Sequence, residues 1–387
     1  MTAPLKVMLV AAEASGDGLG AGLARALKAQ LGDQVTFVGV GGPRMAAEGI
    51  VSPFDITELS VLGAVEGIMA YGRVKRRVAD TAALALRERP DVAVLIDSWG
   101  FTVRVAQALR RALPDLKLVK YVGPQVWVWR PGRAKTLAAT VDHLLTLHAF
   151  DPPWFEKVGL PTTFVGNPSL ATDFAQADGA AFRKAHGLGA DQPLLLVLPG
   201  SRPSEIERMT PVYEQVVRRL KADRRDLAVA VVVADTVAEA VRGRVAAWPF
   251  RAILVEGEAA KKDAMTAAMV ALSTSGTVLT ELALCGAPVV AVYKLGTLSY
   301  ALMKRLVITP HITLFNIAAG ERIAPEFVQG EATPEALAAA VAERLDDPAL
   351  RADQTRRQFE ALDKIGRGQA DPSAAAAEAV LAVMGRA

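Results

Sequence analysis

Apolar runs and amphipathic stretches alternate from one end of the chain to the other. Short, almost wholly apolar segments lie at 7–11, 35–40, 92–96, 116–122, 144–147 and 163–165, and again at 194–198, 227–233, 252–255, 270–273 and 288–292. Short apolar runs bounded by turn residues predict strands covered on both faces, as in parallel sheets. Helical stretches fall between most of them, such as 206–220 after the run 194–198. The alternation predicts an α/β fold with a parallel, doubly wound sheet in each half. Gly166-Asn167-Pro168 interrupts the pattern and sets a boundary between Gly166 and Asp178. The expected organisation is an N-terminal domain over 1–170, a second domain over 171–350, and C-terminal helices over 351–387 that cross back to the first domain or exchange in a dimer. The Ala runs at 337–340 and 374–377 are good helix formers rather than low-complexity tracts. The halves resemble each other in architecture alone.

Composition narrows the classes of function. With 387 residues, 51% of them hydrophobic, the chain can fill two cores. A net charge of +3 implies no nucleic-acid partner. The single cysteine, Cys285, excludes an internal disulfide framework, and among Leu282, Ala283, Leu284 and Ala287 it reads as a small apolar residue. Histidines at 143, 148, 186 and 311 have no metal-ligand spacing, so neither a metal nor a cofactor is expected. The apolar stretch 6–12 is too short for a signal peptide and runs into Glu13 and Asp17. No segment reaches transmembrane length, so a cytoplasmic protein is expected, with contact at a membrane surface left open.

The second half carries two loops of one kind. Leu198-Pro199-Gly200-Ser201-Arg202 joins the run 194–198 to a helix. A tight glycine turn there leaves backbone N–H groups to face an anion, and Arg202 adds a forked cation suited to a diphosphate. Ser273-Thr274-Ser275-Gly276-Thr277 follows the run 270–273, with Glu281 about one helical turn further on. For either loop alone the alternative is an ordinary turn between strand and helix. The pair, with its carboxylate, points to a nucleotide-sugar site.

The first half offers carboxylates and aromatic residues. Glu13, Ser15, Gly16 and Asp17 follow the first run in Ala12-Glu13-Ala14-Ser15-Gly16-Asp17-Gly18-Leu19-Gly20. This is not the G-x-G-x-x-G dinucleotide fingerprint. It suits sugar hydroxyls or a leaving proton, or else Ser15 or Asp17 caps the next helix. Asp97 ends the run 92–96, where parallel sheets place ligands; it reads as a general base, or as a cap for a helix from Phe101. Trp127 and Trp129 alternate in a Gly/Pro loop before Arg130, Arg133 and Lys135. Aromatic walls beside cations suit a phosphorylated sugar, and Trp127 fits core packing equally well. Val65, Ile68, Met69 and Tyr71 precede Arg73, Lys75, Arg76 and Arg77. Such a segment lies on an anionic bilayer or forms a solvated helix face.

In combination these motifs resemble the lipid-A-disaccharide synthase family. The matching stretches are Ala12 to Asp17, Gly39-Val40-Gly41-Gly42-Pro43-Arg44-Met45, Ile96-Asp97-Ser98, Tyr121-Val122 with Val126-Trp127-Val128-Trp129, Leu198 to Arg202, Ser275-Gly276-Thr277 with Glu281, and Asn316 to Gly320. The resemblance implies two Rossmann-like domains facing a cleft, the GT-B glycosyltransferase fold. It implies metal-free inverting transfer from UDP-2,3-diacylglucosamine to 2,3-diacylglucosamine 1-phosphate (lipid X), yielding a β-1,6-linked disaccharide 1-phosphate and UDP. It further implies a peripheral protein on the cytoplasmic face of the inner membrane, with a homodimer as in some members. On this reading Gly200, Ser201, Arg202, Ser275, Gly276, Thr277, Glu281 and Asn316 bind the donor. Asp97 is the base, and Glu13 and Asp17 assist it. Ser15, Gly16, Trp127, Trp129, Arg130, Met69 and Arg76 face the acceptor or the membrane. The chain departs from the family's Pro-Asp-Phe at Trp99-Gly100-Phe101, losing a second acidic residue. It also departs from Ser-Pro-Ser at Gly123-Pro124-Gln125, from Gly-His-Pro at Gly166-Asn167-Pro168, and from Pro-Phe-Glu at Ala149-Phe150-Asp151. The alternatives are a UDP-sugar transferase or epimerase of this fold with another acceptor, or a catalytically weak lipid-binding homologue. The missing dinucleotide fingerprint argues against an oxidoreductase.

Overall fold

The computed structural model describes residues 4–59, 64–274, 276–296, 300, 306–368 and 371–386, with the backbone alone for 64–70. It divides into two units, Met1–Pro168 with Gly368–Ala387, and Ser169–Arg367.

The first unit is built on a six-stranded parallel sheet. Its strands are β1 (Leu5–Ala11), β2 (Val35–Val40), β3 (Val92–Ile96), β4 (Lys117–Tyr121), β5 (His143–Thr146) and β6 (Thr162–Phe164), in the order β2-β1-β3-β4-β5-β6. The interior strands are apolar because helices cover both faces. Every residue of β3 is buried, and Val7 to Ala11 of β1 are wholly so. The helices are α1 (Ala14–Leu31), α2 (Pro43–Ala46), α3 (Ala64–Glu88), α4 (Trp99–Ala112), α5 (Arg133–Ala138) and α6 (Pro152–Glu156). Strands β3 and β4 run side by side in register, Val92 opposite Lys117 and Ile96 opposite Tyr121, so the loops leaving their carboxyl ends are neighbours.

The second unit repeats the plan. Strands β7 (Leu194–Leu198), β8 (Ala228–Val233), β9 (Ile253–Glu256), β10 (Val270–Thr274), β11 (Val289–Tyr293) and β12 (Glu326–Val328) form a parallel sheet in the order β12-β11-β10-β7-β8-β9. Its helices are α7 (Gly179–Ala185), α8 (Pro203–Asp223), α9 (Ala238–Ala246), α10 (Glu258–Ala267), α11 (Val278–Leu284), α12 (Leu314–Ala319), α13 (Pro334–Asp346) and α14 (Pro348–Lys364). The helix expected over 206–220 is longer at both ends. It starts at Pro203, whose missing N–H costs nothing at a first helical position. Strand β12 was not foreseen. It is short, and its buried Glu326 breaks the apolar signal while accepting the amides of Ile312 and Thr313 at 3.0 and 2.6 Å.

The C-terminal helices, grouped by sequence over 351–387, part company. Helix α14 stays with the second unit, where buried Gln354 and Gln358 donate to the carbonyls of Val289 and Ala287. The last helix, α15 (Pro372–Val383), returns to the first unit and packs on α1. Gly22 makes that approach possible: a Cβ there would fall 2.6 Å from Ser373 Oγ.

Candidate active site

The loops at the carboxyl ends of β7 to β10 enclose a cavity of about 610 Å³. Gly200, Ser201, Arg202, Gly276, Thr277 and Glu281 all line it. Side chains tie the loops together. Buried Tyr213 on α8 hydrogen-bonds Thr274 Oγ1 at 2.9 Å, and Thr274 Oγ1 donates to Pro199 O at 3.1 Å, joining the loops after β7 and β10. Thr236 Oγ1 donates to Ser201 O at 2.8 Å, joining those after β7 and β8.

Two expectations change here. The amides of Ser201 and Arg202 are not open to an external anion, because both donate to Glu205 Oε2, at 2.9 and 3.2 Å. The guanidinium of Arg202 turns back to Glu205 Oε1 at 2.6 Å, and its side chain is 73% exposed. A helix-start carboxylate three residues on has taken up the donors that the glycine turn exposes. The cation that the sequence did not reveal is Lys261 on α10. It lines the cavity and holds Glu258 at 2.7 Å and Glu281 at 3.0 Å. Burial pulls its ammonium down, but the two carboxylates outweigh burial and keep it above its ordinary value. Ser275 lies outside the described residues. Asn316 does not reach solvent. Its Oδ1 accepts the amides of Ile323 and Ala324 and its Nδ2 donates to Ala324 O, so its amide ties a loop instead of meeting a ligand. Cys285 donates to Leu282 O at 3.1 Å, and burial pushes its thiol up to about 11.

In the first unit Asp97 stands at the end of β3. Its backbone is left-handed (φ 49°), as is that of Ser98 (φ 35°). Its side chain does not cap α4; Oδ2 accepts from Ser15 Oγ at 3.0 Å. Beneath the turn lies Lys120 of β4, wholly buried, donating to the carbonyls of Leu95 and Asp97 and to Thr102 Oγ1. Burial lowers this ammonium to about 7, against the pull of Asp97. Glu13 is exposed at the end of β1. Asp17 is not available to a sugar. Its buried carboxylate accepts the amides of Gly42, Arg44 and Met45 at 2.7, 2.9 and 3.0 Å, and so caps α2 rather than α1. Gly16 is buried where α1 meets Ala11 and Ile96.

Trp127 is core rather than sugar wall. Its ring is 7% exposed, its Nε1 donates to Asp151 Oδ1 at 2.7 Å, and Asp151 Oδ2 meets His148 Nδ1 at 3.1 Å. Trp129 and Arg130 stay at the surface, the guanidinium 4.6 Å from the ring centre. Val65, Ile68 and Met69 have side chains outside the described residues. Tyr71 is 58% exposed and Arg73, Lys75 and Arg76 are exposed, whereas Arg77 pairs with Glu58 and Asp80. No helix among the described residues is long and apolar enough to cross a membrane.

Comparison with known proteins places this geometry. The lipid-A-disaccharide synthetase family matches over residues 7–380. The lipid-A-disaccharide synthase of Rhodospirillum centenum is 42% identical over 381 residues, 98% of this chain and 95% of that protein. That of Ruegeria pomeroyi is 42% identical over 97% of this chain and 95% of its own length. Among solved structures, the S. aureus MnaA–UDP co-structure superposes with a TM-score of 0.63 at 13% identity, covering 99% of this chain and 98% of that one. The UDP-GlcNAc 2-epimerase from Neisseria meningitidis bound to UDP-GlcNAc gives 0.60 at 10% identity, covering 99% and 100%. The two solved structures share the two-sheet GT-B fold. The sequence match, sustained from β1 to the last helix, shows that the chain belongs to the lipid-A-disaccharide synthase family.

Proposed function

We propose that the protein joins UDP-2,3-diacylglucosamine to 2,3-diacylglucosamine 1-phosphate, giving the β-1,6-linked disaccharide 1-phosphate of lipid A biosynthesis and UDP. The observation that carries this reading is the end-to-end family match. The nucleotide-sized cavity at the carboxyl edge of the second sheet supports it.

In this reading the second unit holds UDP. Lys261 and the Gly276–Thr277 turn face the diphosphate, and Glu281, oriented by Lys261, accepts from the ribose hydroxyls. A fixed cation stabilises the charge that develops on the departing UDP oxygen. The first unit holds the acceptor. Asp97 takes the proton of the 6-hydroxyl as the new C–O bond forms at the donor's anomeric carbon. The bond to UDP breaks on the opposite side and its electron pair leaves with UDP, so configuration inverts. Glu13 and Ser15 position sugar hydroxyls beside Asp97. Peripheral work at the cytoplasmic face of the inner membrane, with the basic face of α3 around Arg76 toward anionic lipid, and a homodimer belong to the same proposal.

The test is incubation of the purified protein with both substrates and mass spectrometry of the products. UDP and disaccharide should form together, and only when both substrates are present. UDP release without disaccharide, or a donor epimerised at C2, would replace this reading with hydrolase or epimerase chemistry.

A further inference from the structure

Two guanidiniums in the first unit share one indole. Arg133 lies 4.5 Å from the ring centre of Trp129 and 5.1 Å from that of Trp99, held between the two; Arg130 lies 4.6 Å from Trp129. Among the described residues neither side chain meets a carboxylate. Like charges held close and partly out of water are costly, and an aromatic face offers only a weak attraction in return. The cost shows in Arg133, lowered first by burial and then by Arg130.

The backbone repeats the message. Of the six non-glycine residues with positive φ among the described residues, four lie here: Asp97, Ser98, Val122 (φ 71°) and Arg130 (φ 51°). Strain of this kind persists where the surroundings enforce it and marks functional loops. Asp97 N donates to Tyr121 O at 2.8 Å, so the turn bearing the carboxylate and the loop bearing the arginines start from one point on adjacent strands.

We propose that Arg130 and Arg133, braced by Trp99 and Trp129, form the subsite for the anomeric phosphate of the acceptor. The inference rests on the acceptor reading above and names the group that the site recognises. A phosphomonoester carries close to two negative charges and three acceptor oxygens, which two forked cations can match. A membrane phosphodiester carries one. In a hexose the exocyclic C6 hydroxyl and the anomeric substituent flank the ring oxygen. Neighbouring loops that carry a base and a phosphate subsite can therefore grip both ends of one sugar.

Tryptophan fluorescence titrated with glucosamine 1-phosphate and with glucosamine tests the subsite without turnover. Only the phosphate should alter the signal, and Arg133→Gln should weaken that response roughly 10- to 100-fold, with a wild-type circular-dichroism melting curve as the sign of intact folding. Arg130→Gln, at an exposed position, should do the same more mildly. In turnover, the preference for lipid X over its dephosphorylated form, as a ratio of kcat/KM, should fall by a similar factor. If neither acceptor yields disaccharide, the proposed function fails and the titration alone decides the subsite. An unchanged preference in both variants, or an unchanged titration, overturns the inference. So does a loss of sedimentation with phosphatidylglycerol vesicles while phosphate discrimination stays intact, which would make the cluster a membrane contact.

Discussion

The two sheets end in loops that turn by different means. In the second unit the turns after β7 and β9 fall on glycine, Gly200 (φ 117°) and Gly257 (φ 81°). In the first, the turns after β3 and β4 fall on Asp97, Ser98 and Val122. Glycine takes these angles freely and lets backbone and ligand approach closely. An Asp or Val held there costs on the order of 1–3 kcal/mol. The difference tells what each edge is for. The second edge shapes a cavity with its backbone, so glycine suffices. The first holds Asp97 and Ser98 at strained angles, with Lys120 pinning the Asp97 carbonyl from below, and in the proposed function this is the turn that presents the base.

Substitutions at the two edges should therefore fail in different ways. The largest effect belongs to Asp97→Asn, which keeps the shape but takes no proton. Turnover should drop about 10²–10⁴-fold, while UDP affinity by calorimetry holds. Near wild-type turnover would pass the base role to Glu13. Next comes Gly200→Ala. A Cβ there would fall 2.4 Å from Glu205 Oε2 and 2.7 Å from Glu205 Cβ, at an angle that L residues avoid. The loop must shift, lowering the melting temperature and weakening UDP by roughly tenfold or more; an unchanged UDP isotherm would detach this loop from the donor site. A finer comparison sets Lys261→Met against Arg202→Ala. Loss of Lys261 removes a cation and leaves Glu258 and Glu281 unpaired beside an anionic ligand, so UDP should weaken roughly tenfold or more. Arg202, exposed and paired with Glu205, should matter less, and the reverse ranking would return the diphosphate to Arg202. The smallest effect is a pH dependence. Lys120 titrates near 7 when folded and near its ordinary value when unfolded. Below about pH 7 both states hold the proton. Between about 7 and 10 the unfolded chain holds it and the native one does not, so native stability rises with pH. The melting temperature of wild type relative to Lys120→Met should therefore climb by a few degrees from pH 6 to pH 9, and a flat difference would mean that Lys120 keeps its usual pKa.

Much of the fold was legible because buried parallel strands are written as apolar runs, and among the described residues eleven of the twelve strands carry one. Strand β12 escaped because Glu326 sits in it. The site was legible where loop chemistry is local, as in the turns that line the cavity. It was opaque wherever a polar side chain is spent inside the protein. Asp17, Asn316 and Trp127 each look like ligand groups in sequence, and each satisfies its hydrogen bonds internally with partners 24 residues or more away or across a closed loop. Lys261 was missed for the converse reason. Nothing local distinguishes it from Lys262; only the fold brings it to Glu281.

The return of α15 to the first unit has a consequence for how the molecule is made. The chain leaves the first unit after Pro168 and re-enters it at Gly368. Ala376, Ala377 and Val380 of α15 fill the same core as Leu23 and Leu27 of α1. On a ribosome, domains ordinarily mature in the order in which they emerge. Here the half that emerges first is finished last: α1 can settle on its sheet early, but the side that α15 covers stays open until the whole of the second unit has been synthesised and α15 has followed it out of the exit tunnel. A stop codon just past Arg367 would leave the sequence of the second unit whole and the first permanently unfinished.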